Sequence, residues 1–457
     1  MRGSGEILLV STYELGHPPH GVALLAALLR RAGFRPAALD LAVEPYDPER
    51  VRRARLVAVS VPMHTALRLG IAAAARIRRE NPGAALVFHG LSAPSAANLL
   101  ADASPAAVLG AEEEPALVEL AEALEAGVSP ATIASRKHSA PPRRRADDPA
   151  PARDLLPPLE RYARLALPDG TTRLAGYAEA SRGCKHRCRH CPLPPVYQGR
   201  FFATPVQAVV ADVAAQVAAG AAHVTFGDPD FLNGPTHALR VARAVHARFP
   251  ALTFDFTAKV EHLVQAPAVV RELAGLGALF VTSAVESLDD RVLARLAKGH
   301  GREDAFRAFA ICADVGLALR PTFVPFTPWE TLEGYLGLLE TLAVRGWLPH
   351  VDPVQLTLRL LVPPGSLLEG DPSIAFEGLD PEALGWRWRH PDPRMDALQR
   401  SVVAAAADGA ARREDALETH RRLRELALAA AGLAHRHVRV LAPDQRRVPR
   451  MTENWFC

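Results

Sequence analysis

Lysine is nearly missing from this 457-residue chain: of 53 basic residues only Lys137, Lys185, Lys259 and Lys298 are lysine, and the other 49 are arginine. With alanine and proline abundant, arginine reads as the default cation of GC-rich coding, so an arginine run carries little functional weight. PPRRRADDP (141–149) is accordingly read as a solvated linker, not a phosphate patch. A strong charge of either sign is also lacking. The net charge of +3 sets up no field that would point to a nucleic-acid partner. No apolar run approaches the ~20 residues needed to span a bilayer, and the run in MRGSGEILLVSTYE is too short for a signal peptide. Cysteine is scarce, at five. An odd handful in so long a chain is not a disulfide framework, so a reducing cytoplasm is the expected compartment.

Short apolar runs and amphipathic helical stretches alternate in what is there. At this length two or three domains are expected. Residues 1–127 read as a doubly wound, Rossmann-like α/β domain, with EILLVS, PAALDLA, RLVAVSV and AALVFHG as strands. Its ligand-binding edge would carry STYELGHPPHG, HGLSAPS and LGAEEE, beyond the carboxyl ends of the strands. Residues 128–172 read as a linker. A second alternation over 173–372 predicts six strands, LAGYAEA, HVTFGD, LTFDFTA, LFVTSAVE, LALRPTFV and DPVQLTLRL, hence a partial (β/α)6 barrel. Residues 373–457 form a helical C-terminal extension and tail.

Three of the five cysteines fall within CKHRCRHC (184–191), just after the first barrel strand, where a barrel places its chemistry. Cys184, Cys188 and Cys191 have the spacing C-x3-C-x2-C. A closed zinc site needs four ligands and would have to recruit His186, His190 or a distant residue. A four-iron, four-sulfur cluster held by three thiolates leaves one iron open. S-adenosylmethionine (SAM) can chelate that iron through its amino and carboxylate groups and be cleaved to a carbon radical. A zinc or iron–sulfur protein that binds a partner or senses redox state is the non-enzyme alternative.

This stretch resembles the radical SAM superfamily, and the resemblance spans about residues 174–365. His190 fits the aromatic residue common before the third cysteine. The resemblance implies a SAM amino-group site at FGDPDFLN, with Gly227, Asp228 and Asp230 as candidates. AVES (284–287) resembles the superfamily's Gly-Ile-Glu-Ser, implying that Glu286, followed by Ser287, meets the ribose hydroxyls, with Ala284 replacing Gly. Lys298 in LARLAKGH matches a basic position, and LVPPGSLLE resembles the turn after the sixth strand. Lys259 and Arg320, near strand ends, are candidates for the SAM carboxylate. An electron donor such as flavodoxin or ferredoxin and a small-molecule substrate are implied.

The domain order is similar to the cobalamin-binding branch of that superfamily. Its D-x-H-x-x-G motif would fall at YELGHPPHG, where His17 and His20 are present but the Asp is absent and the spacing broken. Weak or no cobalamin retention is therefore expected, the domain then being a retained Rossmann-like scaffold; a cobalamin-dependent radical SAM methyltransferase is the alternative.

Cys312 lies in a helical pattern and reads as a core thiol. Cys457 ends the chain, after MTENW and Phe456. That ending, with STYELGH near the start, resembles the radical SAM family named for its CUAEP/CCAEP tail, in which Cys precedes selenocysteine or a second Cys. The family includes the enzyme of arsinothricin biosynthesis. The resemblance implies transfer of the 3-amino-3-carboxypropyl group of SAM to a soft acceptor such as arsenite, with Cys457 as a substrate ligand. It also implies that a UGA selenocysteine codon follows the Cys457 codon, with Ala-Glu-Pro codons beyond it in frame.

Overall fold

The computed structural model describes residues 1–98, 100–129, 132, 148–434 and 448–453. Most of PPRRRADDP, and Cys457 with its aromatic neighbours, lie outside them.

The N-terminal sheet is built from β1 (Ile7–Ser11), β2 (Ala37–Asp40), β3 (Leu56–Ser60), β4 (Ala85–His89) and β5 (Ala107–Leu109). All pair parallel in the order β2-β1-β3-β4-β5. Helices cover both faces, which is why β1, β3 and β4 are unbroken apolar runs, not alternating ones. Leu25 and Leu117 pack on one face with Ile7 and Leu9, and Leu67 and Ile77 pack on the other with Leu8 and Val10. Strand order reverses between β1 and β3, and the loops there face the second domain.

The second sheet starts earlier than the sequence suggested. After β6 (Arg164–Ala166), β7 (Thr172–Ala178), the hairpin strands β8 (Ser181–Gly183) and β9 (Phe201–Ala203), β10 (His223–Phe226), β11 (Thr253–Thr257), β12 (Ala278–Glu286) and β13 (Ala318–Phe323) come the hairpin β14 (Ala375–Asp380) and β15 (Gly385–Arg389), then β16 (Arg450–Met451). The order is β13-β12-β11-β10-β7-β6-β16. Five strands from β7 to β13 run parallel as a curled half-barrel. At its open edge β6 and then β16 add antiparallel, so the tail closes a sheet that began at residue 164.

The sixth strand expected at DPVQLTLRL does not form. Pro353–Leu356 is a 3-10 turn instead, and only an isolated parallel bridge joins Phe326 to Arg359. Pro353 has no N–H to give a ladder. The acceptor for Phe323 N–H is the Gln355 side chain, at 3.4 Å, in place of a main-chain carbonyl. The C-terminal helices Pro393–Ala411 and Ala416–Ala431 are no appendage, because Met395, Leu398, Val402, Leu423 and Leu428 join the half-barrel's own core.

Residues 151–163 dock the two domains. Arg153 is central: it gives two hydrogen bonds to Asp212 at 2.8 and 2.9 Å, one to the Tyr177 carbonyl at 2.6 Å, and contacts His20 Nδ1 at 3.0 Å. Tyr162 donates to Asp40 at 2.9 Å.

Candidate active site

The cysteine loop leaves the sheet at β8 and returns at β9, and that small antiparallel pair pins both ends of it. Gly183, just before Cys184, sits at φ 80°, and a Cβ there would lie 2.5 Å from the Arg200 carbonyl, so the turn requires glycine. Asn233 clamps the loop. Its Oδ1 accepts from Lys185 N at 3.1 Å and lies 3.7 Å from Cys184 Sγ, while its amide donates to the Gly183 carbonyl at 3.3 Å. Arg189 N donates to Leu296 O at 2.9 Å, tying the loop to the β12 side. Cys184, Cys188 and Cys191 are free thiols, and burial raises both Cys184 and Cys191 above the ordinary thiol value. Burial pushes Cys191 up to about 12, so an electropositive metal must displace that proton for the thiolate to form. Three thiols carried on one short loop with fixed ends fit a site-open cluster.

Next to this loop lies a largely apolar cavity of about 400 Å³. His190, Ala284, Glu286, Thr322, Leu361 and Pro363 are on its wall, which brings together three of the motifs singled out in the sequence. The β12–β13 register shifts between Ala284 and Glu286, and Glu286 takes φ 68°, a left-handed conformation that is costly for a residue with a Cβ. Burial opposes its ionisation, but Lys298 Nζ at 3.3 Å and His190 Nε2 at 3.1 Å outweigh that and hold the carboxyl at about 2. Both contacts go to Oε1, and no hydrogen bond among the described residues reaches Oε2. His190 Nδ1 is also buried without a hydrogen-bond partner. An anionic acceptor and a spare imidazole nitrogen on an apolar wall are what an adenosyl group requires, so the residues fit SAM.

The other residues predicted from sequence are placed differently. Asp228 spends one oxygen on Ala180 N, at 2.9 Å, and the other on the Ser181 hydroxyl, so it fastens the entry to the cysteine loop. Asp230 is fully buried, and its Oδ1 caps Leu232 N at 3.1 Å. Gly227 passes under Tyr177, whose ring would overlap any Cβ at that position. Ser287 donates to Glu330 and is not on the cavity wall. Lys259 is buried beside Glu261, at 3.3 Å. Arg320 is paired with Asp352 at 2.6 Å inside the half-barrel, away from the cysteines. Cys312 is fully buried in the core, as expected.

Sequence reasoning missed Asn233, although it lay in the quoted FGDPDFLN, because its role depends on which backbone groups it meets. It missed the lumen as well. A second cavity of about 200 Å³ fills the half-barrel, with His17, Asp255, Arg320, Gln355, Met451 and Glu453 on its wall. Thr322 and Gln355 line both this cavity and the one beside Glu286, so the two adjoin. Tyr13 donates to Glu453 at 3.0 Å, closing the N-terminal loop over the tail.

A family model described as "Radical SAM superfamily" matches residues 179–339. The half-barrel is a radical SAM domain. Radical SAM proteins use a [4Fe-4S] cluster and SAM, in accord with the cysteines and the adjoining cavity. Among solved structures, the chain is similar to the radical SAM methyltransferase TsrM from Kitasatospora setae with cobalamin and a [4Fe-4S] cluster bound, at 18% identity and TM-score 0.56, over 74% of this chain and 72% of that one. It is also similar to the cobalamin-dependent SAM radical enzyme OxsB, at 14% identity and TM-score 0.68, over 88% and 67%. At these identities the likeness is one of fold. No curated protein matches the chain in sequence.

Those structures pose the question of cobalamin here. The cavity at the carboxyl edge of the first sheet is about 220 Å³, below the range of drug-sized pockets and far below a corrin. Arg182 crosses it to Glu114 and Glu179. His20 is engaged by Arg153, and His17 packs on Tyr177 at 4.9 Å, held to about 4 by burial. Neither imidazole of YELGHPPHG lines this space. With the interface packed this way, its residues do not fit the corrin. His89 Nε2, buried on the cavity wall without a hydrogen-bond partner, is the exception.

Proposed function

We propose that this chain is a radical SAM transferase that moves a SAM-derived group onto a small acceptor held in the half-barrel lumen. The observation that carries this reading is the shared wall at Thr322 and Gln355, which sets the cavity of His190 and Glu286 against the half-barrel lumen. The bound cluster, reduced by flavodoxin or ferredoxin, supplies the electron that breaks a carbon–sulfur bond of SAM. Cys184, Cys188 and Cys191 hold it. Glu286 Oε2 accepts from the ribose hydroxyls, His190 packs against the adenosyl group, and Lys298 keeps Glu286 ionised.

The resemblance of both chain ends to the CUAEP/CCAEP-tail family supports the 3-amino-3-carboxypropyl group as cargo and a soft acceptor such as arsenite. In that reaction one electron breaks the carbon–sulfur bond and methylthioadenosine leaves. The aminocarboxypropyl radical adds to trivalent arsenic, forming the new carbon–arsenic bond. The adduct gives one electron back as arsenic becomes pentavalent, so no net electron is consumed. A second reading, cobalamin-dependent methyl transfer, draws on the fold likeness to TsrM and OxsB and on His89.

Anaerobic incubation with SAM, reductant and arsenite separates the readings. Methylthioadenosine with an aminocarboxypropyl arsenical is expected. S-adenosylhomocysteine and 5′-deoxyadenosine with a methylated product would replace the first reading by the second. Intact SAM with a loaded cluster would leave a non-enzymatic iron–sulfur protein.

A further inference from the structure

Behind the cysteine loop, outside both cavities, three metal-ligating side chains from three separate elements meet. His186 comes from the loop, Asp230 from the turn after β10 and His262 from the helix Val260–Gln265 after β11. One donor atom from each lies within 4.8 Å of the others. His186 Nε2 and His262 Nε2 are 3.2 Å apart, and His262 Nδ1 is 2.7 Å from Asp230 Oδ2.

That last contact is an ion pair by distance, and neither atom takes part in a hydrogen bond among the described residues. Asp230 has no solvent exposure and His262 is mostly enclosed, so water does not readily satisfy them. Buried polar atoms without partners are rare, and each costs about 1–3 kcal/mol unless something else binds it. Two imidazole nitrogens 3.2 Å apart, beside a buried carboxylate oxygen, suit a cation placed among them. Glu261, with Oε2 3.6 Å from His186 Nδ1, adds negative charge and an acceptor that would orient the imidazole of a bound metal.

We propose that His186, Asp230 and His262 bind one divalent transition-metal ion of the zinc type, which braces the cysteine loop against β10 and β11. Two imidazoles and one carboxylate suit zinc and disfavour magnesium or calcium, which take oxygen ligands. The site is distinct from the iron–sulfur cluster, since it uses no thiolate. It explains why the loop carries His186 between two of its cysteines and why Asp230 is turned away from the SAM cavity. The inference does not depend on which group is transferred.

The test is metal content and ligand type. Cluster-reconstituted protein is incubated with zinc, passed through a chelating column and analysed; about one zinc beside four irons is expected. In the full-length Cys184→Ser/Cys188→Ser/Cys191→Ser variant, cobalt(II) should bind with visible d–d bands and no thiolate charge-transfer absorption. His262→Ala should lower zinc affinity by about 100-fold or more. His262→Gln serves as a second variant should alanine disturb the fold, which circular dichroism reports. Absence of zinc from the reconstituted protein, thiolate bands in the cobalt form, or undiminished zinc in a folded His262 variant would each overturn the site. They would leave Asp230, His262 and His186 as a chain of polar contacts only.

Discussion

Glu286→Gln tests the SAM site most sharply, because it removes one charge and little volume. In the folded protein this carboxyl is held at about 2 against an ordinary 4.5, despite burial, by Lys298 and His190. A depressed carboxylate contributes stability that is fully present above 4.5 and is lost as pH falls through about 2. At about 1.4 kcal/mol per unit, the lowering is worth about 3 kcal/mol at neutral pH. Glutamine forfeits this and leaves Lys298, only 3% exposed, without its anion. Urea unfolding should therefore show a loss of about 3 kcal/mol at neutral pH that shrinks as the wild type is acidified from 4.5 towards 2. SAM binding should weaken separately. A hydrogen bond to a charged acceptor contributes roughly 1.5–3 kcal/mol, so affinity should fall about tenfold or more by equilibrium dialysis of the reconstituted protein. The double variant Glu286→Gln/Lys298→Met distinguishes the two effects. With both charges gone it should regain much of the stability but none of the SAM affinity. Unchanged SAM affinity in folded Glu286→Gln, or recovery of affinity along with stability in the double variant, would refute the ribose role.

Replacing Cys184, Cys188 and Cys191 with alanine should abolish both the cluster, seen as about four iron per chain in the wild type, and SAM cleavage; cleavage by the triple variant would end the radical SAM reading. Asn233→Ala removes hydrogen bonds to Lys185 N and Gly183 O, about 1 kcal/mol each, and should speed iron loss to a chelator while SAM affinity of the intact cluster form changes little. Unaltered iron release would reduce Asn233 to an ordinary turn residue. Hydroxocobalamin should elute apart from the protein on gel filtration, since Arg182, Glu114 and Glu179 fill the interface; stoichiometric retention, weakened by His89→Ala, would favour the methyltransferase reading.

How much of this was legible in the sequence depended on the distance over which each feature is encoded. The three cysteines are local, and their spacing alone names a loop that can converge on a cluster. Parallel strands buried on both faces announce themselves as apolar runs, so both sheets were visible. The acidic loop was not readable in the same way. FGDPDFLN shows that Asp228 and Asp230 are acids near a strand end, but not that Ala180 N and Leu232 N would claim their oxygens. The sixth strand failed for a related reason. DPVQLTLRL alternates like a strand, yet Gln355 supplies the acceptor that main chain would have given, and the segment winds into a 3-10 turn after Pro353. Side chains that satisfy backbone groups across the fold leave no periodic trace.

The chain ends show the opposite case, where a sequence signal had no visible meaning until the fold joined its parts. STYELGH and MTENWFC lie far apart in the chain and are linked in the sequence by resemblance alone. In the structure Tyr13 of the first bonds Glu453 of the second, Gly16 has Glu453 and Ala163 close on the side where a Cβ would lie, and Leu15, His17, Met451 and Glu453 share the lumen wall. β16 fixes Arg450 and Met451 on β6, so the tail is held at the open edge of the half-barrel by main-chain bonds whatever its side chains do. The two segments form one cover over one cavity. Residues brought together over a lumen face a common occupant, and a change in that occupant alters the demands on both segments at once. The described parts of both ends thus lie on the lumen, where the acceptor is proposed to sit, and not on the SAM cavity.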